Sequence, residues 1–338
     1  MRSSVYGRVG LFSLACSGCD TFIECYSDEA AAEDILKCTC RMAHLLVQRG
    51  RYEQAHEQLN SVPESIMNVL KYHQYWIFFS GMLKLRQFLH RDDMTAATYL
   101  ASQLRAQGAP DAELSFSLSL LEIDLHVRQS QYVEALDLVE SLAKSCLPEN
   151  TDIVGYIKLR NTKARILALC GHPLQGFTIT VRAASIAYRT RALPCLWESC
   201  INLTHILLHL HDATAALQIL EAIIPHVLEC QDSDLAARTY SALVDAHMAL
   251  AADEAIEENK DIELGKRNDR LSQAAEYLDS ALKEYARVED LQGQLEMLAK
   301  KGTIMQLCGD SELADDIATK YVELKREYRV TRSDFDAE

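Results

Sequence analysis

The sequence predicts an all-α fold, a superhelical solenoid of about seven stacked helical hairpins. Only 13 glycines and 6 prolines occur in 338 residues, which favours helix throughout. Small residues recur after turns in one phase, at spacings of 42, 38, 41, 40, 58 and 40 residues. These anchor residues are Ala55, Ala97, Ala135, Gly176, Ala216, Ala274 and Ala314. A repeat of this length indicates hairpins that each pack on their neighbours.

The stretch at residues 46–59 shows why a small residue recurs at the same distance after each turn. We predict that Gly50 takes the left-handed conformation that closes a helix, that Tyr52 fills the wedge between two helices, and that Ala55 lets their backbones approach. Tetratricopeptide repeats have a period of about 34 residues and HEAT or armadillo repeats about 40–47, so a period near 40 is ambiguous by itself. The turn pattern Gly-x-Tyr-x-x-Ala nevertheless favours a long-helix tetratricopeptide-like variant.

The N-terminal part, residues 1–30, is predicted to be irregular, with a partial repeat. Its short amphipathic piece near Leu11 and Phe12 resembles the second helix of a hairpin whose first helix is missing. The solenoid is predicted at residues 31–330. Its first leading helix, 28–48, begins with Asp28 and Glu29, which the helix dipole favours there. The second helix, 52–60, is stopped by Pro63.

The remaining hairpins follow from the same phase. The predicted pairs are 71–90 with 94–107, 111–128 with 131–146, 151–170 with 172–189, 193–210 with 212–230, 233–251 with 270–286, and 290–307 with 311–328. Pro173 stands in the opening turn of its helix, where proline is tolerated. Residues 252–268 form an acidic insertion, predicted as a loop or a solvated helix extension, and residues 331–338 a frayed tail.

Composition restricts the partners and the compartment. The net charge of −15 opposes binding to nucleic acid and to anionic membranes. We find no apolar run of about 18 residues and no secretory signal at the start. The eleven cysteines are scattered among apolar helical positions, which favours reducing surroundings. We therefore expect a protein of the nucleus and cytoplasm that binds neither nucleic acid nor membrane.

No motif predicts catalysis, a metal or a cofactor. Cys16 and Cys19 form a lone CxxC pair, whereas structural zinc normally needs a second pair. His205 and His209 stand four apart but lack the glutamate of a zinc-protease motif. The sequence contains no phosphate-binding loop and no nucleophile elbow. We expect a protein that is not an enzyme.

Two groups of residues are candidate partner contacts. Four cations of the predicted helix 151–170 form a basic island with Arg182, Arg189 and Arg191 nearby; the four are Lys158, Arg160, Lys163 and Arg165. This island is either a solvated face or a contact for an acidic protein. The aromatic cluster of helix 71–90, which includes Tyr75 and Trp76, fills the core or presents a partner surface.

Several stretches carry a family resemblance. Tyr6-Gly7-Arg8, residues 191–203 (RALPCLWESCINL), residues 215–228 (AALQILEAIIPHVL), residues 274–278 (AAEYL) and Gly309-Asp310 occur in this order. Together they resemble the C-terminal tetratricopeptide region of the subunit 5 family of the anaphase-promoting complex, or cyclosome. Pro225 inside a second helix is the most specific feature, because proline there should kink the helix or occupy its last turns.

The resemblance implies a non-catalytic scaffold of a ubiquitin ligase that drives mitotic exit. It implies a position in the platform of that complex beside subunits 1, 4 and 15. The chain lacks the family's N-terminal domain, as expected of a fragment or a shortened gene product. The alternative is a tetratricopeptide adaptor that captures a peptide motif or a regulator in its concave groove.

Overall fold

The computed structural model describes Gly7 and residues 10–26, 32–145, 153–254 and 260–335. Over these ranges the chain forms helices joined by short turns and contains no strand. The all-helical prediction is therefore confirmed for the described part of the chain. The absence of β structure agrees with the low glycine and proline content and with apolar positions spaced for helices.

The helices in these ranges follow one another as near neighbours. They are α1 (Phe12–Tyr26), α2 (Ala32–Gln48), α3 (Tyr52–Asn60), α4 (Glu64–Met67), α5 (Leu70–His90), α6 (Met94–Gln107), α7 (Ala112–Arg128), α8 (Tyr132–Ser145), α9 (Ile153–Leu169), α10 (Pro173–Arg189), α11 (Leu193–His209), α12 (Ala213–Cys230), α13 (Ser233–Glu254), α14 (Lys260–Arg287), α15 (Leu291–Cys308) and α16 (Ser311–Phe335). Helices that are adjacent in sequence pack together in pairs along the chain. This is the arrangement of a helical solenoid.

The pairs are organised in two layers. Alternate helices contact one another directly, α2 with α5, α5 with α7, α7 with α9, α9 with α11 and α11 with α13. We call these the first helices. The second helices, α3, α6, α8, α10, α12, α14 and α16, carry the anchor residues, and each packs against the helix before it.

The anchor residues explain how closely the two layers approach. The six alanine anchors are at most 5% exposed, and Gly176 is buried as well. A Cβ atom added to Gly176 would stand 2.8 Å from the carbonyl oxygen of Ala164 on α9. Gly50 has φ +71°, the left-handed conformation predicted for it, and the amide of Arg51 donates to the carbonyl of Leu46. The close-packing role of the repeated small residue is confirmed.

Several boundaries differ from the sequence prediction. The short helix α4 was not predicted; it starts directly after Pro63, whose φ of −58° suits the residue preceding a helix. Of the two forms predicted for the insertion at 252–268, the structure has the helix extension over its described part, since α13 continues to Glu254 and α14 begins at Lys260. Residues 255–259 lie outside the described part. Helix α16 extends to Phe335, beyond the start of the predicted frayed tail.

The array also closes on itself, which the sequence analysis did not predict. The turn between α14 and α15, residues 288–290, lies against the ends of α3 and α5. The Tyr52 hydroxyl donates to the carbonyl of Val288 at 3.1 Å, and Nδ1 of His90 lies 2.9 Å from the same oxygen. Arg91 donates from Nε to Glu289 at 2.7 Å.

Further contacts extend this junction along the edge of the array. Arg49 donates to the side chain of Gln231 at 2.7 Å, although 182 positions separate them. Arg128 lies 3.4 Å from the Asp290 carboxylate and donates to the carbonyl of Leu89 at 2.9 Å. A Cβ atom on Gly50 would overlap the Arg287 carbonyl group. We call this set the closure contact; it joins the N-terminal hairpins to the C-terminal ones in one superhelical turn.

Candidate interaction surfaces

The four predicted cations of α9 are distributed over several environments. Lys163 pairs with Glu140 on α8 at 3.2 Å, and Arg165 pairs with Asp124 on α7 at 2.9 Å. Arg160 lies over the ring of Tyr156, 4.7 Å from its centroid. Two of the island's four cations are therefore engaged in ion pairs between neighbouring hairpins. These pairs hold the solenoid together and leave those charges less available to a partner.

Asp124 is the centre of a small charge network on the first helices. It accepts from Arg165 and also pairs with Arg128, one helical turn away, at 3.3 Å. Burial opposes ionisation, but the two guanidinium groups prevail and hold the pKa of Asp124 below its usual range. The Nε atoms of Arg160 and Arg165 are buried and have no hydrogen-bond partner among the described residues. The network thus has one carboxylate, that of Asp124, surrounded by guanidinium N–H donors.

Lys158 on α9 and Arg86 on α5 both lie near His44 on α2 and near Asp232 just before α13. Burial lowers the pKa of His44, the charges of Arg86 and Lys158 also lower it, and together these effects bring it to about 3. Neither cation has a carboxylate within ion-pair distance among the described residues. Side chains of α2, α5 and α9 therefore come near one another here, with two cations beside a neutral histidine.

The other part of the basic island lies on a second helix, α10. Arg182 and Arg189 are exposed there, and the guanidinium of Arg191, just after the helix, stands 5.7 Å from the Tyr188 ring centroid. The sequence prediction placed these arginines near the cations of α9, whereas the structure has the two groups on different helices. Counting positions from the anchor Gly176 assigns them to the outer layer, so the anchor phase was the available signal.

Tyr75 and Trp76 pack mainly inward. Both are partly buried against the N-terminal apolar core, and the indole Nε1 of Trp76 donates to the carbonyl of Leu59 at 3.0 Å. Burial raises the pKa of Tyr75 above its usual value. Phe78 and Phe79 on the same helix are buried. These contacts favour the core interpretation over a partner surface for Tyr75 and Trp76, whose role in binding stays a prediction.

The residues considered for metal binding do not converge. Across the described ranges no three His, Cys, Asp or Glu side chains stand close enough together to hold an ion. Cys16 and Cys19 are buried in α1, and the Cys38 thiol donates to the carbonyl of Cys19. Burial lowers the pKa of His205 to about 3, so that imidazole is neutral at pH 7.

One described helix, α12, is long and apolar enough to cross a membrane by those two criteria alone. It packs between α11 and α13, and its apolar residues Leu220, Ile223 and Val227 are buried there. About two fifths of α12 is buried in this packing, and Leu228 is 46% exposed. Comparison of the sequence with protein-family models and with curated proteins gives no match.

Proposed function

We propose that this chain is a non-catalytic scaffold of tetratricopeptide type, with seven hairpins, and a subunit of a ubiquitin ligase of the anaphase-promoting-complex kind. The seven hairpins would be α2–α3, α5–α6, α7–α8, α9–α10, α11–α12, α13–α14 and α15–α16, with α1 as part of a further repeat. The observation that carries the scaffold proposal is the closure contact. A solenoid joined across 236 positions, from Tyr52 to Val288, resists changes of curvature.

Closure supports a scaffold for an energetic reason. A surface whose curvature is already fixed loses little conformational freedom when it binds, so more of the contact energy appears as affinity. An open solenoid would instead lose conformational entropy each time that a partner fixed its curvature. Permanent interfaces of this kind bury on the order of 2,000 Å² or more.

The link to the anaphase-promoting complex rests on the sequence resemblance. Its most specific part falls on α11 and α12, where Pro225 lies five residues before Cys230, the end of α12. By that resemblance the partners are subunits 1, 4 and 15, and the process is progression through mitosis. The protein would act in the nucleus and cytoplasm.

Co-expression tests the proposal. We expect the tagged chain, produced together with subunits 1, 4 and 15 of the complex from the same species, to elute with them as one species in size-exclusion chromatography. Tagged chain alone, without the other subunits, is the folding control and should give a helical circular dichroism spectrum. A folded chain that never co-elutes with the three subunits would overturn the assignment.

The adaptor alternative is favoured by one observation, the two cations near His44. Arg86 and Lys158 lie near His44 and form no ion pair in the described part of the chain, although both also lie near the carboxylate of Asp232. The double variant Arg86→Glu, Lys158→Glu separates the two proposals. If the chain is only a scaffold, the variant still co-elutes with the three subunits and the set of co-purified proteins does not change. An adaptor keeps its assembly but loses one bound regulator, identified by comparing the co-purified proteins.

A further inference from the structure

The outer face of α10 differs from every other second helix. Leu174, Val181 and Tyr188 stand seven residues apart and are 69%, 42% and 60% exposed. They occupy the positions two before, five after and twelve after the anchor Gly176. Single exposed apolar side chains are ordinary on protein surfaces. Three at a spacing of seven form a stripe on one face of the helix, about two turns apart, with exposed Thr178 and Ser185 between them. The spacing matches one of the two apolar positions of a coiled-coil heptad.

The repeats themselves provide the comparison. The position five after the anchor is exposed in each second helix and is polar in all the others; it is occupied by Asn60, Ser102, Glu140, Glu221, Asp279 and Thr319. Only α10 has an apolar residue, Val181, at this position. The outer positions of the stripe are apolar elsewhere too, at Val133 on α8 and Leu228 on α12, so it is Val181 that joins them into one face on α10.

Charge is also unusual at this helix. The chain carries −15 overall, yet no Asp or Glu occurs between residues 153 and 197. Arg182 and Arg189 each follow a stripe residue directly, so they flank the stripe with the same spacing of seven. Arg191 adds a third cation beside Tyr188. With Lys163 and Arg165 engaged in ion pairs on α9, these three arginines form the exposed part of the basic island.

We propose that α10 is a docking face for an amphipathic helix of another protein, with an apolar heptad stripe flanked by Asp or Glu. The apolar row of the partner would cover Leu174, Val181 and Tyr188, and its carboxylates would pair with the arginines. A lipid surface fits less well because a flat bilayer laid on α10 would also meet Glu140 and Glu221, which occupy the equivalent exposed position on α8 and α12. The inference deepens the scaffold proposal and rests on it for the existence of a protein partner.

A charge-swap experiment with designed peptides tests this face. The probe is a fluorescein-labelled helical peptide of about three heptads, with leucine at a and d and glutamate at e and g; its twin carries lysine at e and g. We expect the full chain to bind the glutamate peptide about tenfold more tightly than the lysine peptide by fluorescence anisotropy. Arg182→Glu, Arg189→Glu should reverse this preference, and Val181→Glu should weaken both peptides.

A second double variant supplies the control. Lys266→Glu, Lys283→Glu makes the same change of net charge on exposed positions of α14 and should leave the preference unchanged. Equal binding of the two peptides, or loss of the preference in the control as well, would overturn the proposal. So would vesicles of phosphatidylserine that bind the wild type but not the arginine variant, or a dimer in sedimentation that Val181→Glu dissociates. Failure here leaves the co-elution with subunits 1, 4 and 15 as a separate result.

Discussion

At the scale of single residues, buried histidines determine how the protein responds to acid. His247 on α13 is 3% exposed and stacks on Tyr277 at 5.6 Å between ring centroids. Its Nδ1 has no hydrogen-bond partner among the described residues. Burial lowers the pKa of His247 to about 4, with a smaller contribution from the charge of Arg270. The imidazole is therefore neutral in the folded protein.

The sign of the pH effect follows from this. The unfolded histidine has a pKa of about 6.5, so as the pH falls the unfolded chain binds the proton first and becomes favoured. The stabilisation is complete above pH 6.5 and is lost between pH 6.5 and 4. We expect His247→Gln to remove this dependence, which amounts to about 3 kcal/mol at pH 4. Urea unfolding of both proteins at pH 7, 5.5 and 4 measures it.

The comparison between two proteins matters because another group has the opposite effect. Asp232, at the start of α13, has its pKa raised to about 6, mainly by burial, so it favours the folded state at low pH. Both proteins contain Asp232, and its contribution cancels in the difference. If the difference between wild type and His247→Gln is constant from pH 7 to pH 4, then His247 titrates normally in the folded chain.

At the scale of helices, the anchor phase decides the packing distance. Gly176 on α10 leaves no room for a side chain, because an added Cβ would lie 2.8 Å from the Ala164 carbonyl oxygen and 3.3 Å from Ile206. Gly302 on α15 is a matched contrast, since the nearest atom to an added Cβ is 3.9 Å away, on Ile317. Both glycines lie inside helices, where alanine is intrinsically better by about 1 kcal/mol.

We expect opposite signs for the two alanine variants. Gly302→Ala should raise the free energy of unfolding by about 0.5–1 kcal/mol, since only helix propensity changes. Gly176→Ala should lower it by about 1–3 kcal/mol, since the α9–α10 pair must separate to admit the methyl group. Thermal unfolding followed by circular dichroism measures both. Two stabilising substitutions would mean that α9 and α10 are farther apart than the structure has them.

The helices also show what a sequence can predict here. Anchors at a repeated spacing predicted the pairing of adjacent helices and the burial of Ala55 and its equivalents, because each hairpin depends only on residues nearby in the chain. The short α4 was missed because it falls between anchors. The basic island divides into ion-paired cations on α9 and exposed arginines on α10. The anchor Gly176 marks α10 as a second helix, so the sequence could have predicted that the two groups lie on different helices.

At the scale of the whole molecule, closure is the feature that local patterns cannot predict. It depends on the rotation accumulated over all hairpins, and each contributes a small angle that no residue pair encodes. The contacts that seal it join Tyr52 to Val288, Arg91 to Glu289 and Arg128 to Asp290. The partly exposed Arg91–Glu289 pair contributes about 0–1 kcal/mol alone, and the Tyr52 hydrogen bond about 1 kcal/mol. The Arg128–Asp290 pair is largely buried, so losing one of its partners costs more. Closure therefore depends on several contacts acting together.

Opening the turn should require reversing two of these charges at once. Arg91→Glu, Arg128→Glu would place two new carboxylates beside Glu289 and Asp290, and the one at position 128 would also lie beside Asp124; like charges at this distance repel. We expect the variant to keep the helical circular dichroism of the wild type but to show a larger radius of gyration in small-angle X-ray scattering. Lys266→Glu, Lys283→Glu, with the same change of net charge on α14, should keep the wild-type radius. An unchanged radius in Arg91→Glu, Arg128→Glu would show that the curvature is set within the hairpins, and rigidity from closure could then no longer support the scaffold proposal.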